Sequence, residues 1–341
     1  MPRDPDKLVP YEGVLASRPW SDPWTHDAGE PPAHQPDFDL LGALLTVPVR
    51  RGEVSQTGAF AKGVDAWLAH ELRRAGFGAD AVGPRAARRR GRPRAVAILR
   101  DRLPRRLAEE VAERVAAMPA VTPTDAVILG RAYDKQVDVV ISRWDRGPEL
   151  LVSTKAQVSS FGKNLPNRFE EAYGDAGNLR GRYPLAAVGF LFVQRSTILT
   201  EEPDAFERTV DMIRKLRATP EAGGGYTATG LVLVEWDEPR SRTAGSNGTG
   251  NLPAAGRGVR VRTDAVPPDV AAGQFLTALV RHVTAVTPVV HHVRVRELFE
   301  RRNLAVEEAD ATVGAGPGED ARDAADSSSG PLMIEDPLFE L

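Results

Sequence analysis

Apolar residues recur at three- and four-residue steps from Phe60 through Val64, Trp67, Leu68 and Leu72, a spacing that predicts an amphipathic helix stopped by Gly76. A second helical pattern runs from about Arg105 to Met118, with Leu107, Val111, Val115 and Met118 on one face. From Asp125 the period changes to that of strands. AVILG (126–130) reads as a short buried strand, QVDVVISR (136–143) as a β-branched one, and LLVSTKAQV (150–158) as a third. The turn residues of WDRGPE (144–149) join the last two into a hairpin. Pro166 and Asn167 open a helix through Leu179, with Phe169, Ala172, Tyr173, Ala176 and Leu179 as its stripe. PLAAVGFLFVQ (184–194) and TGLVLVEWDE (229–238) are apolar strands, and GVRVRTD (258–264) is an edge strand. Residues 203–217 and 270–283 are helices. The order α–(β)–β–β–α–β between about 60 and 195 predicts an α/β core, a mixed central β-sheet flanked by helices.

The ends of the chain differ from this middle. Residues 1–40 are Pro-rich and predict an irregular arm that docks Trp20 and Trp24 on the body, and residues 41–306 form the α/β domain. Residues 307–341 form an acidic, low-hydrophobicity tail ending in the apolar PLMIEDPLFEL, and disorder is expected there. Hydrophobic residues make up 42 % and charged residues 27 %, enough for a sizeable core. Cysteine is absent, which excludes disulfide scaffolds, thiolate metal sites and a thiol nucleophile and suits a reducing cytoplasm. No apolar run approaches a membrane span, and MPRDPDKLVPYEG lacks the apolar stretch of a signal peptide. Ten arginines crowd between Arg85 and Arg106, and the net charge of −3 hides that asymmetry.

The chemistry lies in VDVVISRWDRGPELLVSTKAQ. Side chains on a strand alternate faces, so Ser153 and Lys155 share one and Thr154 points away. With a two-residue turn centred on Arg146 and Gly147, Asp138 falls opposite Lys155 on that same face. A carboxylate and an ammonium then converge on a buried hairpin, either as a site or as a plain structural ion pair. On the following helix Glu170 stands three residues after Asn167, at the position of a capping-box partner. Glu171 continues with Asp175 and Asn178 as one polar stripe, either a solvated face or part of the site.

An Asp on one hairpin strand followed by x–Lys on the next resembles the PD-(D/E)xK nuclease superfamily. The acidic position two residues before the lysine is Ser153 here. That departure is shared by a subgroup of restriction endonucleases with Asp…Ser-x-Lys and a glutamate supplied by the next helix. The run STKAQVSSFGKNLPNRFEEAYGDAGNLRGRYPLAAVGFLFV is also similar to type II restriction-enzyme-like proteins of bacteria, and the resemblance spans about residues 125–195. It implies a restriction-endonuclease-like core and a Mg²⁺-dependent endonuclease acting on double-stranded DNA. Asp138, Glu171 or Glu170, and the carbonyl of Thr154 would hold the metal. Lys155 would assist the attacking water, with Ser153 beside it.

Cutting both strands of a duplex implies a homodimer, and the resemblance implies a cognate DNA methyltransferase in the same system. Candidate DNA contacts are Arg88, Arg89 and Arg90 of the arginine run, and Lys163, Asn164, Asn167, Arg168, Asp175 and Asn178 of the helix block. The serine at the acidic position sustains an alternative, a nuclease-fold protein that binds DNA without cutting it. No GxxxxGK[ST], GxSxG, HExxH or strand-linked GxGxxG occurs, and no carboxylate stands at ligand spacing from His282, His291 or His292.

Overall fold

A computed structural model describes residues 8–27, 30–54, 58–84, 99, 102–116, 126–143, 145–217, 225–237 and 258–301. In chain order its elements are α1 (Val9–Ala16), β1 (Trp24–Thr25), β2 (Ala33–His34), α2 (Phe38–Arg51), α3 (Ala59–Arg74), β3 (Val82–Gly83) and α4 (Arg105–Ala116). Then come β4 (Ala126–Leu129), β5 (Asp134–Val137), β6 (Val139–Arg143), β7 (Gly147–Gln157), α5 (Phe161–Arg180) and β8 (Ala187–Arg195). The last are α6 (Ile198–Glu201), α7 (Pro203–Leu216), β9 (Ala228–Glu235), β10 (Arg260–Arg262), α8 (Ala272–Val286) and α9 (Val293–Glu300).

Six strands form one mixed sheet in the order β10-β9-β8-β7-β6-β3. β7, β8 and β9 are parallel, while β10, β6 and β3 each run antiparallel to their inner neighbour. β4 and β5 form a separate antiparallel hairpin.

The central strands are covered by helices on both faces, which explains why β8 is apolar almost throughout rather than alternating. Leu150, Val152, Leu191, Val193, Val232 and Val234 pack with α2, α3 and α8. Leu151, Val188, Phe190, Phe192, Leu231 and Leu233 pack with α5 and α7. Phe275 of α8 rests on Gly189 and Gly230, where an added Cβ would stand 3.1 and 2.9 Å from it. Side chains at those two positions would push the helix off the sheet.

Several elements depart from the expected pattern for identifiable reasons. The N-terminal arm is partly regular: α1 and the β1–β2 pair precede α2, whose first turn is capped by Asp37 accepting from the Leu40 amide at 3.0 Å. Trp24 docks on His34 and Phe299, but Trp20 stays exposed. The run 126–130 is covered on one side only, with Ala126 and Ile128 half-buried against the core. The outer face of the two-stranded hairpin is uncovered, leaving Val127 61 % and Leu129 50 % exposed.

α5 begins at Phe161 rather than at Pro166. Phe161 and Leu165 lengthen its buried stripe, and the Glu202 carboxylate accepts from the Phe161 and Gly162 amides at 3.0 and 2.7 Å. Tyr173 points outward, off the stripe. Most of the arginine run, Met118, nearly all of the 239–258 loop and the 307–341 tail lie outside the described residues. Among the described residues, no helix is long and apolar enough to cross a membrane.

Between α3 and β2, Glu71 and His34 are both buried, with Oε2 3.6 Å from Nε2, and Arg74 lies 2.6 Å from the same Glu71 oxygen. Burial, opposed by Arg74, pushes Glu71 up to about 7. Burial and the charge of Arg74 push His34 down to about 3. The two shifts act in opposite senses on stability. The raised carboxyl contributes stability below its ordinary value of 4.5 that is lost as pH rises through about 7. The lowered imidazole contributes stability above its ordinary 6.5 that is lost as pH falls towards 3. Between 4.5 and 6.5 they offset each other. Glu71→Gln is therefore expected to melt at progressively lower temperature than the wild type as pH falls from about 7 to about 5. Equal slopes in thermal melts across that window would show that Glu71 stays ionised when folded.

Candidate active site

β5 and β6 are one stretch of chain interrupted at Asp138, where the backbone leaves the hairpin with β4 and enters the main sheet. The Asp138 amide donates to the Val152 carbonyl at 3.0 Å, and its Oδ2 accepts from the Thr154 amide at 2.8 Å. The pairing of Val139 with Val152 and of Val140 with Leu151 sets Asp138 beside Ser153, two residues short of the expected partner Lys155. Arg143 pairs with Gly147, so the turn falls nearer β6 than expected, and a bulge lies between Ile141 and Ser142. A shift of two residues preserves the face, so Ser153 and Lys155 still share one.

Alternation along β7 sends consecutive residues to opposite helices. Thr154 faces α3, where its hydroxyl donates to Asp65 Oδ1 at 2.6 Å, and Asp65 Oδ2 lies 3.2 Å from Lys62 Nζ. Lys155 faces α5 and donates to Glu171 Oε1 at 2.7 Å. Lys135 of β5 reaches the same oxygen at 3.3 Å and Asp175 Oδ2 at 2.5 Å, and Tyr133 donates to Asp175 Oδ1 at 3.2 Å. Asn178 pins the hairpin turn to α5. Its Oδ1 accepts from the Ala132 and Tyr133 amides at 2.8 and 3.3 Å, and its amide donates to the Tyr133 carbonyl at 2.9 Å.

The electrostatics divide the site in two. Burial raises Asp65, and the neighbouring charge of Asp138 raises it further against the pull of Lys62 and Thr154. Burial also raises Asp138, opposed by the Thr154 amide and by Lys62, Lys155 and Lys135. On the other face partial burial pushes Glu171 up, but Lys155 and then Lys135 outweigh it and hold the carboxyl below its ordinary range. Asp65 and Asp138 are thus two adjacent hard-oxygen donors whose burial outweighs the lysines near them. That donor set fits Mg²⁺, which takes carboxylate oxygens and keeps several waters. Among the described residues, no three His, Asp or Glu side chains are grouped to hold one ion, so water and substrate oxygens would complete the shell.

The structure brings Asp138, Ser153, Thr154, Lys155 and Glu171 together around the outgoing end of β7. Thr154 enters through its amide and hydroxyl, and the Ser153 hydroxyl is buried without a hydrogen-bond partner. Glu170 lies exposed on α5, away from these contacts, and Lys163, Asn164 and Asn167 are exposed nearer the start of that helix. Arg168 approaches Glu171 at 3.9 Å.

Asp175 and Asn178, expected to face DNA, are buried under the β4–β5 hairpin because it covers the polar stripe of α5. Arg88, Arg89 and Arg90 lie outside the described residues. His282 meets the Leu185 carbonyl, His291 meets Arg146 and His292 meets Glu149.

Lys62, Asp65 and Lys135 escaped the sequence pattern. One compositional signal points to the two lysines: lysine is scarce in this arginine-biased chain, with six against 44 basic residues in all. Three of the six surround Asp138. A compact ammonium is not interchangeable with a guanidinium fork, so lysine in such a chain marks positions where the point charge matters. No protein-family model matches this chain, and neither a curated protein nor a solved structure does.

Proposed function

We propose that the chain is a Mg²⁺-dependent DNA endonuclease of the PD-(D/E)xK kind, type II restriction-enzyme-like, hydrolysing phosphodiester bonds in duplex DNA. One observation carries this. Asp138, Lys155 and Glu171, from a strand break, a strand and a helix, converge at one end of β7, with Asp65 added from the distant α3. A restriction-endonuclease-like core is supported by α3, β3, β6, β7, α5 and β8 in that chain order, with α4, β4 and β5 inserted between β3 and β6 and with β8 parallel to β7.

In this proposal Asp138 and Asp65 hold the metal, which supplies charge neutralisation and an acidified water. The Thr154 amide fixes the rotamer of Asp138, and the Thr154 hydroxyl fixes that of Asp65. Lys155, oriented by Glu171, presents its ammonium to the scissile phosphate and the attacking water. Ser153 offers the same corner a hydroxyl donor. A homodimer, a partner methyltransferase and a cytoplasmic setting belong to the same proposal, the last supported by the absence of cysteine.

A second reading, a nuclease-fold protein that binds DNA without cutting it, is favoured by one feature. Ser153 rather than a carboxylate lies beside Asp138, while both lysines of the α5 face hold Glu171.

The discriminating measurement is cleavage of plasmid and phage DNA in Mg²⁺ by the wild type and Lys155→Ala. The expected result is discrete fragments from the wild type and a loss of about a hundredfold or more in the variant. Gel retardation without cleavage would favour the binder. Neither cleavage nor retardation would dismiss both.

A further inference from the structure

The β4–β5 hairpin, the exposed valines near the end of α8 and the Arg195–Trp236 stack all lack an indication of what would occupy them. The pairing of Lys62 with Asp65 does not. Lys62 Nζ lies 3.2 Å from Asp65 Oδ2, and the Lys62 side chain is 19 % exposed against 1 % for Asp65. The ammonium therefore closes the solvent side of a buried carboxylate. Asp138 lies beside it, since its Oδ2 accepts from the amide of the same Thr154 whose hydroxyl donates to Asp65, and Lys62 also favours its charged form. Lys62 thus serves two adjacent carboxylates drawn from α3 and from the break between β5 and β6, with Lys155 and Lys135 also acting on Asp138.

We propose that Lys62 is an exchangeable counter-ion: it neutralises Asp65 and Asp138 while they hold no metal, and a divalent cation entering between them displaces it towards solvent. This rests on the proposed function only in taking those two carboxylates as the metal's ligands. The geometry suits exchange. Asp65 is fixed by the Thr154 hydroxyl and Asp138 by the Thr154 amide, so neither carboxylate need move when the cation changes. Lys62 reaches in from the first turn of α3 on a flexible four-carbon stem, and a lysine can withdraw its head while its stem stays packed. The exchange replaces one positive charge by two beside two negative ones. It follows that Mg²⁺ and the ammonium compete for the carboxylates, and that the protein binds Mg²⁺ more weakly with Lys62 than without it.

Two measurements on the full chain, with Mg²⁺ alone as the probe and no nucleic acid, test this. In thermal melts titrated with Mg²⁺, Lys62→Met is expected to melt lower than the wild type in chelator. It should then gain more on saturation, with half-saturation at roughly tenfold lower Mg²⁺, about 1.4 kcal/mol. Equal half-saturation in wild type and Lys62→Met, or no response to Mg²⁺ in either, overturns the proposal.

Should Lys62→Met fail to fold, amine acylation of the wild type read by mass spectrometry decides instead. Labelling of Lys62 should rise severalfold on adding Mg²⁺ while that of the exposed Lys215 stays constant. An unchanged Lys62 overturns the proposal. Plasmid cleavage by the wild type, scored separately, tells the two failures apart. A protein that releases Lys62 on binding Mg²⁺ but cuts no DNA loses only the nuclease assignment. One that cuts DNA with Lys62 unmoved loses only the counter-ion.

Discussion

Asp138→Asn is expected to raise the melting temperature of the protein in chelator while lowering DNA cleavage by about 10³-fold or more. The two effects share one cause. The Asp138 carboxyl is raised by burial and contributes in turn to the raised value of Asp65, so the folded state holds two like charges that solvent separates in the unfolded chain. Asparagine keeps an oxygen for the Thr154 amide, removes one charge and can donate to Asp65. Relief of like-charge repulsion at this burial is worth about 1 kcal/mol, or roughly 2–4 °C in a domain of this size. In the proposed site the same change would remove a metal ligand, so activity would be lost through the chemistry and not through the fold. Thermal melts in chelator and plasmid cleavage in Mg²⁺ on the same preparation check both halves. A lower melting temperature would show that the two carboxyls do not repel, and surviving cleavage would remove Asp138 from the chemistry.

Trp67→Ala is expected to cost about 3–5 kcal/mol, the largest loss from any single substitution considered for this chain. Trp67 is fully buried in α3, stacks on Phe38 with ring centroids 6.2 Å apart, and donates from Nε1 to the Asp37 carbonyl at 3.0 Å. Alanine would leave a cavity between α2 and α3 and remove one of the two hydrogen bonds to the Asp37 carbonyl, which would keep only the Leu41 amide at 3.2 Å. Because α3 also carries Lys62 and Asp65, the damage should reach the site. Urea unfolding should show a lower midpoint, with the Mg²⁺ response weakened in parallel. A loss below about 1 kcal/mol would mean that the α2–α3 layer closes around the missing ring.

How much of this was legible differs between the two faces of the sheet. The α5 side followed from local rules, because period-2 alternation places Ser153 and Lys155 together whatever the exact register. A helix of clear periodicity then brings Glu171 within reach. The neighbour of Asp138 was not legible. Turn residues set a register only to within a residue or two, and both the turn position and the bulge at Ile141 moved it.

The α3 side was hidden apart from the rarity of lysine, which marks Lys62. Asp65 follows Val64 in a helix buried on most of its circumference, where a lone acid reads as an ordinary polar position. Only the tertiary contact with Thr154 distinguishes it. Lys135 and the burial of Asp175 likewise depend on where the β4–β5 hairpin folds, and the alternation inside that hairpin does not encode its docking on α5.

The hydrogen bond from Thr154 to Asp65 joins residues separated by 89 positions in the chain. Closing so long a loop is entropically slow relative to forming the β6–β7 hairpin, so the two carboxylates meet only when α3 docks on a sheet already paired. Their mutual repulsion therefore falls on the final docking step rather than on early collapse. Cations that screen or bridge them should accelerate that step in refolding experiments, so that a metal would assist assembly as well as the proposed chemistry.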